Sequence, residues 1–264
     1  MAELVPGKLT LEEPVPGVAR LLITNPQRRG ALDHEILDSI SATLPDLDAR
    51  CLVIAGEGKT FSAGYDLGNL EGGSFEQSAE KLVAHPFHAA IEALEAYPYP
   101  VVGQINGHAI GGGLELALSC DIRVAARGAK LGMPPAKLGL IYSHTGLKKF
   151  IEVCGVANTN ELFFVGRNVD TDRGARMGLV NEVVEPDELD ARVLELAGEI
   201  AANAPLSLSG NKRIIRTLRD LGSKLPDDVE RELVELRESC FASEDFREGV
   251  RAFGEKRAPR WQGR

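Results

Sequence analysis

Short apolar runs open the chain. Residues 8–11 and 18–24 read as two strands joined by a turn that contains Pro14, Pro16 and Gly17. A loop at 25–30 follows. Ile36, Leu37, Ile40 and Leu44 then recur at helical spacing and predict a helix over 33–44. Residues 51–55 are continuously apolar, as in a strand buried on both faces, and a glycine-punctuated loop occupies 56–73. Phe87, Ala90, Ile91 and Leu94 predict a second helix, which Pro98 and Pro100 end. A buried strand at 101–105 runs into a glycine-rich turn at 106–113, a helix over 114–119 and a third strand at 121–126. Strand, loop and helix repeated in this order predict an α/β core.

From residue 145 the pattern is mainly helical. Leu189, Val193, Leu196 and Ile200 form one stripe, and Val229, Leu233, Leu236 and Cys240 form another. Phe246, Val250 and Phe253 belong to a last short helix. The C-terminal region carries such stripes but no strand pattern. Its apolar faces must pack either on their own core or on another subunit.

Hydrophobic residues make up 44% of the 264 positions and charged residues 26%, which permits a sizeable core and opposes disorder. The formal net charge of −9 opposes nucleic-acid binding, and the one locally basic stretch is 256–264. No apolar run approaches the roughly 20 residues a membrane span needs, and the N-terminus lacks a secretory pattern. The four cysteines, Cys51, Cys120, Cys154 and Cys240, lie far apart with no C-x-x-C pair. No zinc or other metal is expected, and reduced thiols in a cytoplasmic protein are the simple reading.

Candidate chemistry gathers at two glycine-rich turns, each after a buried strand: Phe61-Ser62-Ala63-Gly64-Tyr65-Asp66 and Gly111-Gly112-Gly113-Leu114-Glu115. Glycine lets a backbone approach a ligand closely. The N–H groups at a helix start lack intrahelical acceptors. Two such turns facing each other would form an oxyanion hole, in which one donor is worth about 2.7–4 kcal/mol of transition-state stabilisation. Glycines that merely make tight turns are the plain alternative. The run Gly58-Lys59-Thr60 is not a nucleotide loop, because the glycine required five residues before Gly58 is replaced by Val53. A dinucleotide-binding G-x-G-x-x-G is also missing.

The segments Phe61–Leu67, Asn106–Ala117 and Cys120-Asp121, with Gly178-Leu179-Val180-Asn181 and Ala252–Arg257, resemble the enoyl-CoA hydratase/isomerase (crotonase) superfamily in family order. The resemblance implies a spiral of ββα units over 1–200 carrying an acyl-CoA site. It also implies a helical oligomerisation region over 201–264, assembled as a homotrimer or a dimer of trimers. Coenzyme A would be part of the substrate, with no separate cofactor. The family's oxyanion donors map onto the backbone N–H groups of Tyr65 and Gly112. Its CoA-binding positions map onto Arg28, Arg29, Ala31 and Ala63, and onto Phe253 and Lys256 of a tail that reaches a neighbouring subunit's CoA.

A hydratase of this family uses two glutamates. The first matches Glu115, whose plain alternative is a helix-start carboxylate that favours the dipole. The second falls at Pro135, which cannot transfer a proton. The segment 132–143 instead resembles the methylmalonyl-CoA decarboxylase branch, which carries M-T-P here and a tyrosine matching Tyr142. That branch has a histidine where Tyr65 stands. Glu115 and Tyr142 are therefore the expected catalytic pair, with Tyr142 as a packed core tyrosine the alternative. His144 reads as a polar loop residue, with proton donation as its second role. Decarboxylation of a malonyl-type CoA ester is favoured and hydration of a 2-enoyl-CoA is the alternative. A non-catalytic CoA-binding scaffold or an RNA-binding protein stands further off. The loop at 70–85 is expected to line the acyl pocket.

Overall fold

The computed structural model describes residues 1–65, 86–221 and 226–262. The chain folds as a crotonase-type α/β spiral. The long strands β1 (Ala2–Val5), β2 (Leu9–Val15), β3 (Val18–Ile23), β4 (Cys51–Gly56), β6 (Val101–Ile105), β8 (Ile122–Ala126) and β11 (Glu182–Val184) form one sheet in the order β1-β2-β3-β4-β6-β8-β11. The short strands β5 (Thr60–Ser62), β7 (His108–Ile110), β9 (Lys130–Gly132) and β10 (Val169–Asp170) form a second sheet in the order β10-β9-β7-β5. Each turn of the spiral places one long strand in the first sheet and one short strand in the second. A helix then returns the chain, as α3 (Gly112–Leu118) does after β6 and β7.

The period of two along the long strands divides the core. On β4, Leu52 and Ile54 face the main core between the sheets, with α1 (His34–Thr43) and α2 (His88–Ala96). Cys51 and Val53 face the other way, against Leu189, Val193 and Ala197 of α6 (Leu189–Ala202). Both faces are covered, which is why residues 51–55 read as one apolar run. Asp33 caps α1 by accepting from the Ile36 N–H at 3.0 Å, which fixes where that helix starts.

The strands β1, β5, β7, β9, β10 and β11 have two to four residues each. Four of them correct the sequence-based expectations most directly. β5 and β7 lie inside stretches expected to be loop or turn, and β10 and β11 interrupt the region expected to be helical. The helix α4 (His144–Asn160) is broken at Gly155, where φ is 74°. α5 (Thr171–Met177) then leads to β11.

The C-terminal helices α7 (Pro205–Leu221), α8 (Asp227–Phe241) and α9 (Glu244–Gly254) form a helical region consistent with trimerisation. Lys212 pins α7 to the core, donating to the Tyr99 carbonyl at 2.9 Å and to Asp121 at 2.8 Å. Its other face exposes Ile214, Ile215 and Leu218. On α9 the buried positions are Phe246, Glu248, Gly249 and Ala252, whereas Phe253 is 71% exposed and leaves the stripe. The Leu236 side chain and the segment 70–85, expected to line the acyl pocket, lie outside the described residues. Among the described residues no helix is long and apolar enough to cross a membrane, and no group of His, Cys, Asp and Glu could hold a metal ion.

Candidate active site

The two glycine turns meet. Gly64 follows β5 with φ 88°, and a Cβ there would lie 2.8 Å from the Ile110 carbonyl and 3.0 Å from the Gly112 nitrogen. Only glycine allows both that conformation and that approach. One residue further into α3, a Cβ on Gly113 would lie 2.3 Å from the Ser62 carbonyl. The turns therefore touch backbone to backbone. The Gly112 and Gly113 N–H groups donate to no described residue, while those of Leu114 and Glu115 donate to the Gly111 carbonyl at 3.0 and 3.1 Å. Tyr65 is held by a parallel bridge to Leu32. Its ring stacks edge-on with Phe87, with centroids 4.9 Å apart, and covers Gly112, where a Cβ would sit 3.1 Å from the ring.

Glu115 lies in the first turn of α3 and is 5% exposed. Its Oε2 accepts a hydrogen bond from the Tyr142 hydroxyl, and Tyr142 is itself buried against Phe163, with ring centroids 5.5 Å apart. Burial pushes the Glu115 carboxyl above the usual carboxylate range, against the opposing effects of Lys149 and of the Tyr142 hydrogen bond. Burial, together with the Glu115 charge, pushes the Tyr142 phenol well above 10, so it stays protonated and donates. The Tyr65 phenol also acts on Tyr142 by hydrogen bonding. Three groups drawn from three separated segments thus meet at the mouth of the two turns.

Pro135 is buried at the start of a short 3-10 turn, Pro135–Leu138, and its carbonyl accepts from the Leu140 N–H at 3.0 Å. That turn is gripped by the C-terminal helices. Cys240 of α8 donates to the Gly139 carbonyl at 3.0 Å and accepts from the Ile141 N–H at 3.3 Å, next to Tyr142. His144 begins α4 and stands 3.7 Å from Glu230 of α8.

The other expected positions fall in two places. Arg28 and Arg29 are exposed, Arg29 with φ 55°, and the Arg29 carbonyl accepts from the Ala63 N–H at 3.1 Å. Ala31 is buried beside them. These four residues share one rim of the Gly64 turn. Phe253 and Lys256 lie exposed at the end of α9, with Lys256 at φ 54°.

Sequence reasoning missed the ring of Tyr65, which it valued for its backbone alone. It also missed Lys149, Glu95 and Ser119 behind Glu115. Ser119 was findable, since it stands four residues after Glu115 on one helix. Lys149 and Glu95 come from α4 and α2, and no local pattern joins them.

The family model described as enoyl-CoA hydratase/isomerase matches residues 14–264. A crotonyl-CoA hydratase of Syntrophomonas wolfei is 33% identical over 91% of this chain and 92% of its own. A methylmalonyl-CoA decarboxylase of Escherichia coli is 29% identical over 90% of this chain and 91% of its own. A solved structure of methylmalonyl-CoA decarboxylase in complex with 2-nitronate-propionyl-CoA superposes with a TM-score of 0.88 at 26% identity, covering 97% of this chain and 99% of that one. The fold, the order of the motifs and these likenesses agree: the chain belongs to the enoyl-CoA hydratase/isomerase family and is an enzyme of the lyase type typical of it.

Proposed function

We propose that the protein acts on an acyl-coenzyme A thioester, that the backbone N–H groups of Tyr65 and Gly112 stabilise its enolate, and that the reaction is decarboxylation of a malonyl-type CoA ester. The observation that carries this reading is Glu115, the one buried carboxylate at the two glycine turns among the described residues, partnered by a phenol. Glu95, whose charge also reaches Glu115, is engaged by Lys149 and Arg219 at 2.8 Å each. Pro135 stands where a family hydratase has its second glutamate. Two-carboxylate activation of water therefore lacks its second member among the described residues.

Decarboxylation needs less. The bond from the α-carbon to the carboxylate breaks and CO2 leaves. The electron pair stays on the thioester as an enolate, whose oxygen the two N–H groups hold. The α-carbon then takes a proton from Glu115. The Tyr142 hydroxyl steadies the carboxylate left behind, and solvent returns one proton. Burial that raises the proton affinity of Glu115 favours this sequence. The exposed Arg28 and Arg29 on the rim, with Ala31 and Ala63 beside the turn, suit the phosphates and adenine of coenzyme A. Phe253 and Lys256 would serve a neighbouring subunit's CoA in a homotrimer or a dimer of trimers, with the apolar face of α7 at the contact. The four free cysteines fit a reducing, cytoplasmic setting.

The second reading, hydration of a 2-enoyl-CoA, is favoured by the 33% identity to the crotonyl-CoA hydratase. In it Glu115 must be ionised to take a proton from water.

A nitronate thioester mimics the enolate. Tight binding of 2-nitronate-propionyl-CoA, at least about 10²-fold stronger than that of propionyl-CoA, is the expected result for a site built for the enolate. Equal affinities would contradict it.

A further inference from the structure

One turn along α3 from Glu115, Ser119 donates its hydroxyl to the Glu115 carbonyl at 2.8 Å. Lys149 of α4 donates to that same hydroxyl at 2.5 Å and pairs with Glu95 of α2 at 2.8 Å. The other oxygen of Glu95 pairs with Arg219 of α7 at 2.8 Å. The Lys149 side chain is only 11% exposed. Burying an ammonium group costs free energy unless it is paired. Here the pairing leads in one unbroken path from the α3 backbone to the C-terminal helices.

A structural staple between four helices would need no lysine directed at the active-site helix. Apolar side chains of similar volume serve as well or better in that role. The path instead places a positive charge beside the helix that carries Glu115. It then places a negative charge behind the lysine and a second positive charge behind that.

We propose that Lys149 is a positioning residue for Glu115, acting on it through charge, and that Glu95 and Arg219 set how strongly that charge is felt. The proposal rests on the reading of Glu115 as the proton-transfer group. Among the described residues, the charged and titratable groups that act on Glu115 are Lys149 of α4, Tyr142, and Glu95 and His88 of α2, with Tyr65 next to Tyr142. Of the strands packed on α3, β5 and β6 carry no titratable side chain, and His108 of β7 is exposed and accepts from the Lys130 N–H at 3.0 Å. Lys149 favours the ionised carboxylate and Glu95 opposes it. Arg219 acts by neutralising Glu95. How α7 sits on the core therefore reaches the proton affinity of Glu115.

The test needs no substrate, so it stays readable even if no CoA ester is turned over and the functional proposal fails. Full-length protein carrying carbon-13 in the glutamate carboxyls is titrated by NMR, with the Glu115 signal assigned from Glu115→Gln. Lys149→Met should move the Glu115 titration to higher pH, and Lys149→Arg should leave it near the wild-type position. Glu95→Gln should move it to lower pH and Arg219→Gln to higher pH. Should Lys149→Met not fold, the opposite movements of the Glu95 and Arg219 variants decide the matter. A Glu115 titration that stays put in these variants, or moves in the same sense in both, overturns the proposal and leaves a structural staple.

Discussion

The Tyr142 hydroxyl donates to Oε2 of Glu115, so a buried phenol and a buried carboxyl hold one another in defined protonation states. Tyr142 keeps its proton because ionisation beside Glu115 and out of water is unfavourable. Glu115 keeps its proton to higher pH than an exposed glutamate because burial outweighs the help of Tyr142 and Lys149.

Glu115→Gln should retain the fold and lose about 10²–10⁴-fold in turnover, the usual range for a proton-transfer group. Steady-state kinetics with the preferred CoA ester checks this. Unchanged turnover would make Glu115 a structural carboxyl.

The pH dependence separates the two reactions. For decarboxylation the protonated Glu115 delivers the proton, so turnover should fall as pH rises through its raised value. For hydration the ionised form is the base, so turnover should rise over the same interval. Tyr142→Phe removes a bond that favours the ionised form. It should therefore move that limb to higher pH in either case, in a pH–rate profile.

Stability should follow the same linkage with two opposite signs. The folded Glu115 binds its proton more tightly than the unfolded chain does. Its contribution is thus best below the ordinary glutamate range and is lost as pH rises through the raised folded value. Glu115→Gln should therefore gain on the wild type in melting temperature as pH rises through that interval. Glu248 behaves in the reverse way: hydrogen bonds from Arg257 and Arg251 and from the Arg260 N–H hold it well below the usual range. Its contribution is present above the ordinary glutamate value and disappears as pH falls through the lowered one. Glu248→Gln should melt earlier near neutrality, and the difference should close in strong acid. Melting curves of both variants across pH check the two signs.

Gly64→Ala should destabilise the protein by about 1–3 kcal/mol, the cost of a side chain in that backbone region. It should also lose turnover, because the new Cβ meets the Gly112 nitrogen. Denaturant unfolding and kinetics read the two effects separately.

Much of this was legible in the chain. The run at 51–55 is apolar without interruption, and 101–105 is so apart from Gln104, because α6 covers one face and the main core the other. The Asp33 cap and the spacing of Ile36, Leu37 and Ile40 fix α1. The glycines at 64 and 113 marked the site because a side chain there would collide with the facing backbone, and Gly111 because its φ is 58°. β5, β7 and β9 escaped notice because a three-residue strand has no period to read, and its pairing is set by strands distant in sequence. The sequence places Phe253 on the last helix with Phe246 and Val250, yet it is exposed, and the buried carboxylate of Glu248 takes the inner face of α9 and ties down Arg257 at 2.6 Å. The Lys149–Glu95–Arg219 path could not be read at all, since its members come from three helices.

The most direct measurement offers the enzyme methylmalonyl-CoA and crotonyl-CoA together and follows both by mass spectrometry. The account predicts propionyl-CoA and CO2 from the first and little change in the second. Rapid addition of water to crotonyl-CoA with no release of CO2 would contradict it.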